Sequence, residues 1–131
     1  MNKKEKIVVA SGTFEILHLG HIKFLKEAKK LGKLIVIVAR DENVKKFKNH
    51  YPIIPEKQRL EIIKSLKFVD KAILGDKEDI FKSIEKIKPD IIALGKNQNF
   101  NEDELLEELK KRNLNVQIVR INKFYRGKLN S

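Results

Sequence analysis

The sequence contains no cysteine among its 131 residues. That absence excludes a disulfide scaffold, a thiolate zinc site, an iron–sulfur centre and cysteine-nucleophile chemistry. It also agrees with a reducing cytoplasm as the expected location. No run approaches the 18 or so consecutive apolar residues that a membrane span requires. The basic start Met1-Asn2-Lys3-Lys4-Glu5-Lys6 leads directly into Ile7-Val8-Val9-Ala10 and then Ser11-Gly12-Thr13. It lacks the longer apolar segment and small-residue cleavage site of a signal peptide, so none is expected. Acidic residues are in deficit, with 18 Asp and Glu against 29 Lys and Arg, a formal net charge of +11. Such a balance favours anionic partners. Yet no block of five or six basic residues occurs, and there is no basic–aromatic interleaving of the kind that stacks bases. Nucleic acid and membrane are therefore not expected as partners, and phosphorylated small molecules are. Surfaces rich in Lys and Glu are also common in proteins from hot environments, so the charge by itself decides little.

What is present suits a single domain spanning residues 1–131. Hydrophobic residues make up 41% and charged residues 36%, and a chain of this size buries about two-thirds of its unfolded surface without staples. No internal repeat, linker or low-complexity segment interrupts it. Short β-branched runs alternate with amphipathic stretches. Ile7–Ala10, residues 34–39, 69–74, 91–94 and 116–121 read as strands buried on both faces. Between them, residues 19–31 place Ile22, Leu25, Ala28 and Leu31 on one helical face, with Gly32 where a left-handed C-cap belongs. Residues 41–50 are polar and Lys-rich, either a short helix or a loop. Pro55 opens a helix to about Leu66. Residues 78–87 form another, cut off by Pro89. Asn101 caps an acidic helix start that ends near Asn113. Five such strands alternating with helices predict an α/β, doubly wound domain with a five-stranded parallel sheet. Ligands then bind beyond the strand C-termini. The informative residues are those that follow each strand.

The first crossover reads Ser11-Gly12-Thr13-Phe14-Glu15-Ile16-Leu17-His18-Leu19-Gly20-His21. Two of the chain's three histidines share a four-residue window where the first helix should begin. A helix N-terminus offers unpaired N–H groups and the positive end of the dipole, and so suits an anion. The imidazoles add directed donors, Gly20 allows phosphate oxygens near the backbone, and Gly12-Thr13 supplies a second turn.

These residues resemble the signature of the cytidylyltransferase-like nucleotidyltransferases, Rossmann-like enzymes that move a nucleotidyl group from an NTP to a phosphorylated acceptor and release pyrophosphate. The resemblance runs on through Val38-Ala39-Arg40-Asp41, Pro52-Ile53-Ile54-Pro55-Glu56-Lys57-Gln58-Arg59, residues 69–75 and Lys88-Pro89-Asp90-Ile91-Ile92-Ala93-Leu94-Gly95. It is strongest to the archaeal FAD synthase subgroup, which implies ATP and FMN as substrates, a divalent cation such as Mg²⁺ bound with the NTP, no metal held by protein ligands alone, and a homodimer paired around residues 68–70. The competing relative is glycerol-3-phosphate cytidylyltransferase, which implies CTP and a small phosphorylated alcohol.

Carried over, the resemblance implies that His18 and His21 hold the phosphates and stabilise charge at the α-phosphate. It implies that Gly12, Thr13, Phe14 and Gly20 line the same pocket, and that Lys48 closes onto the phosphates. Lys45 and Lys46 would serve the acceptor, and Asp41 would either bind it or cap a helix. Arg59 would meet a phosphate or stand as an ordinary helix charge near Glu56. Gly95, Asn97 and Gln98 fall where the family reads the base. An amide at Asn97, where cytidylyltransferases often carry Asp, satisfies an adenine amino edge and favours ATP. Arg120 or Arg126, with Ser131, would begin a C-terminal phosphate-binding turn whose helix the sequence does not reach. Two further departures are Glu15 in place of the family's usual Asp and the absence of the cysteines that archaeal relatives often carry near this end.

Overall fold

The computed structural model describes residues 5–15, 17–95, 98 and 101–121, apart from the side chain of Phe47. The chain runs β1 (Ile7–Gly12), α1 (Leu19–Lys29), β2 (Lys33–Val38), α2 (Asp41–Lys48), α3 (Glu56–Lys64), β3 (Lys71–Leu74), α4 (Ile80–Ile87), β4 (Ile91–Gly95), α5 (Glu102–Lys111) and β5 (Gln117–Ile121). The strands form one sheet in the order β3-β2-β1-β4-β5, and every neighbouring pair is parallel. This is the expected doubly wound α/β architecture.

Strand periodicity divides the core. Along β2, Leu34, Val36 and Val38 face one way, with Val8 and Ala10 of β1, onto Leu25 and Ala28 of α1 and Ile63 of α3. Ile35 and Ile37 face the other way, with Val9, onto Ile84 of α4 and Leu105 and Leu109 of α5. Because side chains alternate across a strand, a continuous β-branched run is what two covered faces demand.

The boundaries differ from expectation where polar groups intervene. Residues 41–48 are a helix, not a loop. Asp70 is not part of β3: its Oδ2 accepts from Leu34 N at 2.8 Å and from Lys29 Nζ at 2.7 Å. α4 begins at Ile80 because Asp79 caps it by accepting from Phe81 N at 3.0 Å. It ends at Lys88, whose left-handed φ of 52° precedes Pro89. Asn101 caps α5 as expected, accepting from Glu104 N at 3.1 Å. Gly32 is not a left-handed cap. Its φ is 157°, and a side chain there would collide with the Lys6 carbonyl, which accepts from Lys33 N at 2.8 Å.

Candidate nucleotide-transfer site

From β1 the chain steps to β2 and β3 on one side, then returns to lay β4 and β5 on the other. The reversal opens a crevice at the C-terminal ends of β1 and β4, the place where doubly wound sheets bind ligands. The expected site residues of the first and fourth strands, Gly12 and Gly95, stand on its two sides. Gln98 spans the gap: its Oε1 accepts from Gly95 N at 2.8 Å and its Nε2 donates to Ser11 O at 3.1 Å. Arg120 Nη1 donates to Gly95 O and Gln98 O, each at 2.8 Å, and its Nε donates to Glu102 at 3.0 Å. Gln98 and Arg120, expected to touch the nucleotide, thus hold the turn after β4 in shape.

The histidines are brought together at the start of α1. His18 is the N-cap, and its Nδ1 accepts from Gly20 N at 3.0 Å. His21 reaches back so that its Nδ1 accepts from His18 N at 3.3 Å. The two bonds form a reciprocal capping box in which imidazoles take the usual places of Ser or Thr and Glu or Gln. The rings stack, with centroids 4.0 Å apart and planes 26° apart. A nitrogen that accepts from an N–H carries no proton, so each neutral ring holds its proton on Nε2. The backbone therefore sets both tautomers and makes each ring an Nε2–H donor. Gly20 donates its N–H to His18, and an added Cβ would come within 2.8 Å of His18 Cε1. The glycine makes room for the ring.

Phe14 holds the pair from beneath. It is buried and meets His21 edge-on, with centroids 5.4 Å apart. A Cβ on Gly12 would lie 2.9 Å from its ring. Its φ of 51° is left-handed, an uncommon conformation for a bulky residue. Phe14 and Gly12 therefore position His21 and are packed against each other. Glu15 Oε2 accepts from Ile53 N at 2.9 Å. The longer arm at this position ties the histidine loop to the loop between α2 and α3.

Arg59 corrects the sequence reading most clearly. It is neither a helix charge on the surface nor a group open to phosphate, because it is fully buried. Its Nε donates to Ile54 O at 2.9 Å, and its Nη1 donates to Thr13 O and Ala39 O, each at 2.8 Å. Nη2 pairs with Asp41 Oδ1 at 2.6 Å. Asp41 Oδ2 also accepts from Glu56 N at 3.3 Å, while Glu56 Oε1 accepts from Asp41 N at 2.8 Å. Asp41 is thus engaged in this network, not presented to an acceptor. Burying a guanidinium costs several kcal/mol, and bonds from a charged donor, at about 1.5–3 kcal/mol each, offset it. The result joins three loops around the crevice: 13–18, 39–41 and 52–55. Arg40 extends the tie, donating from Nε to Gly75 O at 2.5 Å and pairing with Glu56 at 3.6 Å. Sequence reasoning missed this network, although Arg59 stands four residues before the buried Ile63 on the inward face of α3.

The three candidate lysines lie in the C-terminal half of α2, and Lys46 and Lys48 are exposed. Lys45 Nζ sits 5.6 Å from the Tyr51 ring centroid. The Tyr51 hydroxyl donates to Glu42 Oε2 at 3.2 Å. The Glu42 charge, with that bond, holds the phenol above its ordinary pKa. Asn97, Arg126 and Ser131 lie outside the described residues. Among the described residues, no group of three or more His, Cys, Asp or Glu gathers to hold a metal ion, and no helix is long and apolar enough to cross a membrane.

A family model described as Cytidylyltransferase-like matches residues 9–129. The chain is 61% identical over 117 residues to the FAD synthase of Ferroglobus placidus, covering 88% of this chain and 76% of that protein. It is 63% identical over 115 residues to the FAD synthase of Archaeoglobus profundus, covering 87% of this chain and 73% of that protein. Among solved structures, the lipopolysaccharide core biosynthesis protein of Thermoplasma volcanium superposes with a TM-score of 0.88 at 48% identity, covering 92% of this chain and 99% of that one. A pantoate-beta-alanine ligase from Francisella tularensis, with a TM-score of 0.65 at 20% identity, covers 96% of this chain and 62% of that one and shares the fold alone. With paired histidines at the first crossover and the match running from β1 through β5, the chain belongs to the cytidylyltransferase-like family.

Proposed function

We propose that the chain transfers AMP from ATP to FMN, giving FAD and pyrophosphate. The observation that carries this reading is the stacked histidine pair at the start of α1, the helix that follows β1, with each ring accepting a backbone N–H at Nδ1. The curated relatives at 61% and 63% identity, both FAD synthases, support the choice of acceptor.

In the reaction, an oxygen of the FMN phosphate attacks the α-phosphorus of ATP. The bond from that phosphorus to the bridging oxygen of the β-phosphate breaks, and pyrophosphate leaves with the electron pair. A phosphate ester is already largely ionised at pH 7, so no proton has to be removed from the nucleophile. The chemistry calls for positioning and for charge stabilisation, not for a base. His18 and His21, as neutral donors, bind the phosphate oxygens and strengthen their bonds as charge shifts toward the leaving group. Lys48, Lys45 and Lys46 complement the anionic substrates.

A divalent cation enters as part of the triphosphate substrate. Both Nδ1 atoms are occupied by backbone N–H groups, and Mg²⁺ prefers oxygen ligands, mostly water and substrate phosphates. These residues do not suit a resident metal. Pairing into a homodimer around residues 68–70 belongs to the same proposal. Monomeric sedimentation at assay concentration removes that part alone.

The test is a grid of ATP, CTP and GTP against FMN, glycerol 3-phosphate and phosphopantetheine, read as pyrophosphate. Release with ATP and FMN together, matched by FAD, is expected. Release with CTP and glycerol 3-phosphate in its place overturns the reading.

A further inference from the structure

Three of the exposed large apolar side chains stand on the two segments that the Glu15–Ile53 bond ties together, the histidine loop with the start of α1 and the loop between α2 and α3. Leu19 is 50% exposed, Tyr51 55% and Ile53 84%. Leu19 follows His18 at the first position of α1. Tyr51 and Ile53 stand on the loop between α2 and α3, and the Glu15 carboxylate draws that loop onto the histidine loop through Ile53 N. The loop is stiffened by Pro52 and Pro55 and opens at Asn49, whose left-handed φ of 64° ends α2. Tyr51 is held at both ends, its hydroxyl on Glu42 and its ring near Lys45. Arg59 fixes the same loop, its Nε donating to the Ile54 carbonyl at 2.9 Å. A built and restrained loop that offers apolar groups to water, next to Lys45, Lys46 and Lys48, suits a ligand with a flat apolar body and a phosphate.

We propose that Tyr51 and Ile53, with Leu19, form the platform on which the isoalloxazine ring of FMN rests while its phosphate meets the histidines and the α2 lysines. This rests on the FMN-adenylylating reading above. It also assigns specificity: a small phosphorylated alcohol has no flat face to cover these side chains, so it gains only the phosphate contacts. The planar ring gains both, and removes the apolar groups from water.

The experiment titrates FMN into the full chain and follows flavin fluorescence, which contact with a tyrosine ring quenches. KM values for FMN and ATP are measured alongside. The wild-type chain quenches the flavin. Tyr51→Leu binds FMN without that quenching, and Ile53→Ser raises KM for FMN by about tenfold, about 1.4 kcal/mol of binding. In both variants KM for ATP moves by less than about twofold. Both residues are exposed, and unchanged melting temperatures show that the variants fold. Ile80→Ser, an exposed apolar change on α4, leaves both KM values at wild type. If wild type makes FAD but both variants bind FMN as it does, with full quenching, the platform alone is wrong. Variants that lose self-association while retaining FMN affinity also overturn it, since the patch is then a contact between copies. A wild-type chain that makes no FAD takes the functional reading down first.

Discussion

At the scale of single residues, His18 has two jobs that substitution can separate. Its Nδ1 caps α1 through Gly20 N, which leaves Nε2–H as the donor of an exposed ring. Loss of a side-chain cap costs about 0.5–2 kcal/mol. Loss of one preorganised donor to transition-state charge costs about 10²- to 10³-fold in kcat. His18→Ala removes both, so melting temperature and turnover fall together. His18→Asn retains an acceptor at the cap but not the outward donor, so stability returns and turnover does not. Circular dichroism melts paired with steady-state rates on the two variants check this. If His18→Asn recovers full turnover, the ring is acting only as a cap.

At the scale of elements, Asp70 joins three of them, because its Oδ2 receives both Lys29 Nζ at the end of α1 and Leu34 N in β2, just before β3 begins. Partial burial raises the carboxyl's pKa, but the bonds from Lys29 and Leu34 outweigh it, and the group titrates below the ordinary 3.8. A depressed folded-state value contributes stability that is fully present above 3.8 and lost as pH falls through the folded value. Asp70→Asn should therefore destabilise the protein at neutral pH by about 1 kcal/mol, solvent screening having been allowed for. The gap to wild type should narrow below about pH 3.8, as urea melts at two pH values would reveal. A gap that widens in acid is incompatible with this sign. The same residue marks what local pattern reveals. The β-branched runs identify β1, β2 and β4, where burial on two faces imposes a composition that is read within five or six residues, and the half-buried edge strands β3 and β5 are read from their shorter apolar stretches. Asp70 reads as strand because Val69 precedes it and Ala72-Ile73-Leu74 follow close behind, while the partners that hold it lie 41 and 36 residues away. The role of Arg59 is hidden from local pattern for the same reason, since two of the carbonyls it gathers belong to Thr13 and Ala39, 46 and 20 residues off. The histidine pair was legible because its capping box closes within a single helical turn.

At the scale of the whole molecule, the surplus of 29 cationic over 18 anionic side chains acts on two anionic substrates at once. A positive field raises the local concentration of anions near the crevice, and this lowers KM even where encounter does not limit the rate. The field is screened within about 30 Å at 0.01 M salt and about 3 Å at 1 M. Raising KCl from about 0.01 M to about 0.3 M should therefore raise KM for ATP and for FMN several-fold and leave kcat nearly constant. The tautomers of His18 and His21 are set by short backbone bonds that salt does not reach, so the transfer step itself has no reason to weaken. Steady-state kinetics across the salt series, with the nucleotide kept saturated with divalent cation, separates the two quantities. A flat KM would mean that the lysines are dispersed too evenly to shape a field at the crevice. A falling kcat would place a screened surface charge, not the paired imidazoles, at the reacting phosphorus.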